Sequence, residues 1–143
     1  MAAIVVDASV MVALYVEEPL SVPARASLLR SREEGDDLHA PDLLLIECAN
    51  AFWKRVGRGE LDRDSAMIAI TELSTLSDLD RHPLDGRLVP PALSLATAHS
   101  LTAYDAAYAA LAVQLGGTVL SGDRRFVEQA SQAGLPVVSV AAG

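Results

Sequence analysis

Ile4-Val5-Val6-Asp7-Ala8-Ser9 reads as a buried strand that ends on a carboxylate. Three consecutive branched aliphatics suit a strand covered on both faces, the kind found in a parallel sheet sandwiched between helices. Asp7 is the only charged side chain between Met1 and Val16. The chain therefore brings one negative charge to the carboxyl end of its central strand, the edge at which open α/β sheets bind ligands. A lone Asp in this place also suits the N-cap of the next helix. Other carboxylates arriving at the same edge would distinguish the two roles.

Beyond this strand, apolar spacing predicts helices over 9–15 and 20–32, a solvated turn at 33–37 and a short strand at 38–40. A helix follows over 42–56, with Pro41 in its first turn and Gly57 at its end. Between Asp42 and Lys54 its only charge is Glu47, on one face with Leu43, Leu44 and Ala51. A carboxylate there needs a cation or hydrogen-bond donors, and an arginine from elsewhere would also satisfy it. Asn50, one turn on, suits either a supporting donor or a polar packing group. Phe52 and Trp53 suit core or interface anchors. A helix over 61–76, capped by Asp62, precedes a strand candidate within 77–85, where His82 is expected to be exposed.

Between Leu88 and Gly122 the only charged residue is Asp105. Helices are predicted over 88–99 and 104–115, a stop at Gly116-Gly117 and a buried strand over 118–121. A last helix over 124–133 and a last strand over 136–140 complete the chain. This alternation of strand and helix predicts an α/β fold with a parallel sheet between helical layers. His39 and His99 are expected to be structural.

At 143 residues and 15.0 kDa, the chain is read as one domain over 1–143, long enough to bury roughly two thirds of its unfolded surface. Its 51% hydrophobic content and mean hydropathy of +0.29 suit an apolar face kept for a partner or a second copy. No apolar run reaches the roughly 18 residues of a membrane span, so a cytoplasmic protein is expected. Cys48 stands alone, which fits a reducing compartment and a place in the core. The net charge of −8 argues against a general electrostatic grip on nucleic acid, leaving local or metal-bridged contact.

Chain geometry connects the isolated acids. From Asp105 to Gly116 a helix carries the chain on the order of 16 Å away from the strand edge. The strand that follows brings it back by a similar distance, so Asp123 returns beside Asp105. If this strand runs parallel to the first, both acids join Asp7. Thr102-Ala103-Tyr104-Asp105 also fits a capping box, and Asp123 suits a cap for the last helix. Capping accounts for each position separately, but not for three isolated charges converging. Two carboxylates about 5 Å apart, at an effective dielectric near 20, repel by roughly 3 kcal/mol. Such a site holds a proton at raised pKa or a hard divalent cation, and oxygen-only ligands favour Mg²⁺ or Mn²⁺.

These acids carry a resemblance. The order strand-Asp7-Ala8-Ser9, Pro41 with Glu47 six residues on, Thr102-Ala103-Tyr104-Asp105-Ala106-Ala107-Tyr108, then Leu120-Ser121-Gly122-Asp123 resembles the PIN-domain ribonucleases. It is most similar to the VapC toxins of bacterial toxin–antitoxin pairs, over nearly the whole chain. The resemblance implies a PIN-like fold with a five-stranded parallel sheet flanked by helices on both faces. It also implies an acidic Mg²⁺ or Mn²⁺ site that cleaves RNA phosphodiesters, in transfer or ribosomal RNA. Homodimerisation and neutralisation by a cognate VapB antitoxin follow from the same likeness. On matching positions, Asp7, Glu47, Asp105 and Asp123 carry over as the metal-binding, catalytic acids, with Ser9 and Ser121 as supporting ligands. Arg124 and Arg125, beside Asp123, are candidates for holding substrate phosphate.

Rival readings fit less well. A phosphoacceptor receiver also gathers acids at a sheet edge, but usually as an acidic pair with a C-terminal lysine. Here Ala8-Ser9 follows Asp7, and Lys54 is the only lysine. A dinucleotide-binding domain would show G-x-G-x-x-G after the first strand, which is missing. A non-catalytic PIN-like module that binds RNA or a partner is the remaining alternative.

Overall fold

The structure is a computed structural model and describes residues 1–140. Its five strands are β1 (Ala3–Val6), β2 (Asp37–Pro41), β3 (Leu79–His82), β4 (Thr118–Ser121) and β5 (Val137–Ser139). They form one sheet in the order β3-β2-β1-β4-β5, and every neighbouring pair is parallel. The seven helices are α1 (Ala8–Tyr15), α2 (Ser21–Glu33), α3 (Leu43–Gly57), α4 (Arg63–Ser74), α5 (Val89–His99), α6 (Ala103–Leu115) and α7 (Arg124–Gln132). The chain steps from β1 out to β2 and β3, then crosses back to β4 and β5. Right-handed crossovers that travel in opposite directions place their helices on opposite faces.

Val5, Val6 and Val119 are fully buried, as continuous aliphatic strands in a doubly covered sheet should be. α6 packs over β1, β2 and β4, and its Ala106, Ala107, Ala109, Ala110 and Ala112 are all buried. Small side chains let this helix lie close on the sheet. Gly117 serves the same end, since a Cβ there would collide with the carbonyl of Ala3. Phe52 is core at 2% exposure and meets Tyr15 edge to face, whereas Trp53 is 69% exposed. Cys48 is buried, and burial first, then the Glu47 and Asp7 charges, push its thiol up to about 12. It is a packing residue.

Two local expectations change. Pro41 closes β2 and does not open a helix: it pairs with His82, and the next N–H, from Asp42, bonds the His82 carbonyl at 2.8 Å. A strand end that needs only a carbonyl accommodates proline. His82 is not exposed but half-buried, because this pairing carries its ring onto the neighbouring strand. Its Nε2 lies 2.9 Å from Nδ1 of His39, and burial followed by the His39 charge lowers its pKa.

A candidate acidic active site

β1 lies where the strand order reverses, and the carboxyl end of such a strand is where open α/β sheets bind ligands. The Ile4↔Thr118, Val5↔Val119 and Val6↔Leu120 register brings Asp7 level with the end of β4, where its N–H bonds the Leu120 carbonyl at 3.0 Å. Asp7 sits at the N-cap position of α1 but makes no side-chain cap bond. Its Oδ2 instead accepts from the hydroxyls of Ser9 at 2.8 Å and Ser121 at 2.7 Å. Ser9 Oγ accepts the Gly122 N–H at 2.9 Å, and Ser121 Oγ the Asp123 N–H at 3.0 Å. A hydroxyl has one proton, so both serines commit theirs to Asp7 and are themselves fixed by backbone.

Asp7 is 7% exposed. Burial raises its pKa, the two hydroxyls counter this, and the Asp123 charge adds to it. Asp105 reaches the same edge in the first turn of α6, where the Thr102 hydroxyl accepts its N–H at 3.1 Å. Its pKa is pushed up to about 6, by burial first and then by the charges of Asp7 and Asp123, with Thr102 and Arg125 opposing. Glu47 comes from α3, and its partner is a tyrosine, not an arginine: the Tyr108 hydroxyl donates to Oε1 at 2.6 Å. Burial raises Glu47 as well, followed on the same side by the charges of Asp7 and Asp105. Asp123 is exposed and caps α7, its Oδ1 accepting the Phe126 N–H at 3.2 Å. Both roles weighed for this residue therefore coexist, because its charge still acts on Asp7 and Asp105.

A profile described as PIN domain matches residues 4–131. The chain belongs to the PIN-domain family. It is 38% identical over 126 residues to Ribonuclease VapC3 of Pyrobaculum aerophilum, covering 88% of this chain and 93% of that protein. Among solved structures, VapC20 of Mycobacterium tuberculosis, described as a Sarcin-Ricin loop cleaving toxin, superposes with a TM-score of 0.69 at 18% identity, over 92% of this chain and 95% of that one. VapBC2 of Rickettsia felis, bound to a DNA fragment from its promoter, gives 0.70 at 12% identity, over 96% and 98%. The last two likenesses concern the fold.

Within this PIN domain, all four acids predicted from sequence meet electrostatically at one edge. As placed, no group of three His, Cys, Asp or Glu side chains among the described residues encloses an ion unaided. Arg125 lies close enough to Asp105 to lower its pKa, and Arg124 is exposed beside it. Asn50 is exposed, so it is not a buried packing group. Tyr108 is the site residue whose role the sequence reading missed. Its signal was a large hydroxyl-bearing ring one helical turn after Asp105, in a run of alanines. It is fully buried, and its own pKa is raised, chiefly by burial.

Proposed function

We propose that this chain, read as one PIN domain over 1–143, is a metal-dependent endoribonuclease and the toxin of a VapBC-type toxin–antitoxin pair. The carrying observation is the convergence of acids at the carboxyl edge of β1 and β4, where the Asp7 charge raises both Glu47 and Asp105 and the Asp123 charge raises Asp7 and Asp105. Buried or half-buried carboxylates that repel, as Asp7, Glu47 and Asp105 do, gain from a hard cation, and their oxygen-only chemistry suits Mg²⁺ or Mn²⁺. Mg²⁺ usually takes one or two protein carboxylates and completes its shell with water and substrate phosphate, so a ready-made cage is not required. The name of the 38%-identical relative supports ribonuclease chemistry.

In this reading Asp7 and Asp105 hold the cation, with Ser9 and Ser121 fixing the orientation of Asp7. A cation held there would supply polarisation of the scissile phosphate and a lowered pKa for attacking water. Glu47, one oxygen tied to Tyr108, and Asp123, one oxygen tied to the α7 cap, orient the attacking water. A P–O bond to water forms, the bond to the 3′ oxygen breaks, and that oxygen takes the proton. The products carry 5′-phosphate and 3′-hydroxyl ends.

Transfer or ribosomal RNA is the expected substrate and the cytoplasm the expected site of action. Among the described residues no helix is long and apolar enough to cross a membrane. Exposed apolar side chains, including Trp53 at 69% and Leu93 at 58%, support homodimerisation and a VapB-type antitoxin. The deciding experiment is cleavage of end-labelled RNA with Mg²⁺ or Mn²⁺, with EDTA, and by Asp7→Asn and Asp105→Asn. Metal-dependent cutting lost in both variants is the expected result. Cutting that is equal with EDTA and in both variants would sink the assignment.

A further inference from the structure

A mostly apolar groove of about 450 Å³ adjoins the acidic edge, lined by Leu43, Ile46, Glu47, Asn50 and Tyr104. Its contents are tied to the acids by chain geometry. Glu47 is a wall of both the groove and the acidic site. Tyr104 precedes Asp105 in the first turn of α6, and Asn50 lies one turn beyond Glu47 on α3. Tyr104 is 62% exposed and Ile46 67% exposed. By contrast, Tyr108, on the same helix, is fully buried and already holds Glu47. An aromatic face left open one residue from an acid of the reaction centre calls for an occupant.

We propose that this groove is a nucleobase subsite, in which an unpaired base next to the scissile phosphate stacks on Tyr104 while Asn50 addresses its edge. This rests on the ribonuclease reading and names the side chains that would meet a base of the substrate. A phosphodiester held at the acids carries a nucleoside on each side, so a groove sharing the Glu47 wall faces one of them. Leu43 and Ile46 give the lining aliphatic surface that suits the flat apolar face of a base. Asn presents a donor and an acceptor together, the pattern that reads a base edge. Stacking also answers a difficulty of charge. With a net charge of −8, the protein lacks a general attraction for phosphate, and a base-stacking contact supplies affinity that does not depend on it.

The test uses the full chain and an RNA oligonucleotide with one unpaired 2-aminopurine, titrated with Ca²⁺ in place of Mg²⁺ to slow cutting. In parallel, KM and kcat are measured with Mg²⁺. Wild type should quench the probe, Tyr104→Ala should bind roughly 5- to 150-fold more weakly, and Tyr104→Phe should recover most of the loss. The change should fall on KM, and a fully paired duplex should bind poorly to every variant. Unchanged RNA affinity and KM in Tyr104→Ala would overturn the subsite while leaving the nuclease assignment standing. The subsite also falls if that variant leaves RNA binding alone but shifts the dimer mass, since the groove then belongs to a protein interface. Tyr104-dependent quenching without any metal-dependent cutting would keep the subsite as a binding feature and remove the nuclease. Neither quenching nor cutting would remove both.

Discussion

The hydroxyl of Ser121 donates to Oδ2 of Asp7 at 2.7 Å, joining residues 114 positions apart in the chain. The bond is buried, and a hydrogen bond to a charged group contributes about 1.5–3 kcal/mol. Ser121→Ala removes it and also takes the acceptor from the Asp123 N–H. Chemical denaturation should register a loss of about 1–3 kcal/mol at neutral pH, and cleavage should fall with it. Equal stability at pH 7 would show that Asp7 does not depend on this clamp.

The raised pKa of Asp105, at about 6 against an ordinary 3.8, sets a pH dependence of stability. Between those values the folded chain holds a proton that the unfolded chain has released. Stability therefore falls as pH rises through this window, and the loss is complete above it. Relative to Asp105→Asn, which lacks this carboxyl, the metal-free protein should lose melting temperature between pH 5 and pH 7.5. Mg²⁺ should recover more at pH 7.5, because it competes with no proton there. A metal-induced shift that is larger at pH 5 would contradict the coupling.

Asp7→Asn keeps the shape of the side chain and both serine contacts while removing a charge whose burial is unfavourable. The metal-free variant should melt above wild type and have no nuclease activity. A scanning melt with EDTA beside the RNA assay checks both halves. A lower melting temperature would mean that the ionised carboxylate contributes net stability.

Tyr108→Phe removes the donor to Glu47 and leaves the buried ring in place. Losing a partner of an ion-binding or catalytic carboxylate typically costs 10- to 100-fold in metal affinity or activity. The fall should appear in kcat or in Mn²⁺ affinity, with RNA affinity unchanged. Wild-type values for both would assign Tyr108 to packing alone.

Arg124→Ala combined with Arg125→Ala should lower the slope of log affinity against log salt by about one unit for each phosphate no longer held. Losing Arg125 should also raise the pKa of Asp105 further, since its charge now opposes the rise. An unchanged slope would remove both arginines from substrate binding.

The sequence made the parallel sheet legible because Ile4-Val5-Val6 and Thr118-Val119-Leu120 are short aliphatic runs that end beside isolated acids. The convergence of Asp7, Asp105 and Asp123 was readable from helix and strand rise alone, since α6 and β4 retrace one another. What stayed hidden depends on contacts across strands and helices. The Tyr108–Glu47 bond links residues 61 apart on different helices, and the His39–His82 pair depends on register between β2 and β3. Pro41 shows a local preference overridden by a ladder, for a residue suited to a first helical turn ends a strand wherever only its carbonyl is used. For Ser9 and Ser121 the hydroxyl was noticed, but not that both protons go to one oxygen of Asp7.

That shared oxygen also governs when the centre comes into being during synthesis. Asp7, Ser9, Glu47 and Asp105 have all been translated before Ser121 and Gly122, yet Asp7 acquires its full clamp only after β4 has paired with β1. The ribosome thus emits most of the acidic side chains early and the part that locks them together in the last fifth of the chain. A prematurely terminated product ending before Ser121 would carry three of the four acids but lack the Ser121 hydroxyl on Asp7 and the Gly122 N–H that fixes Ser9.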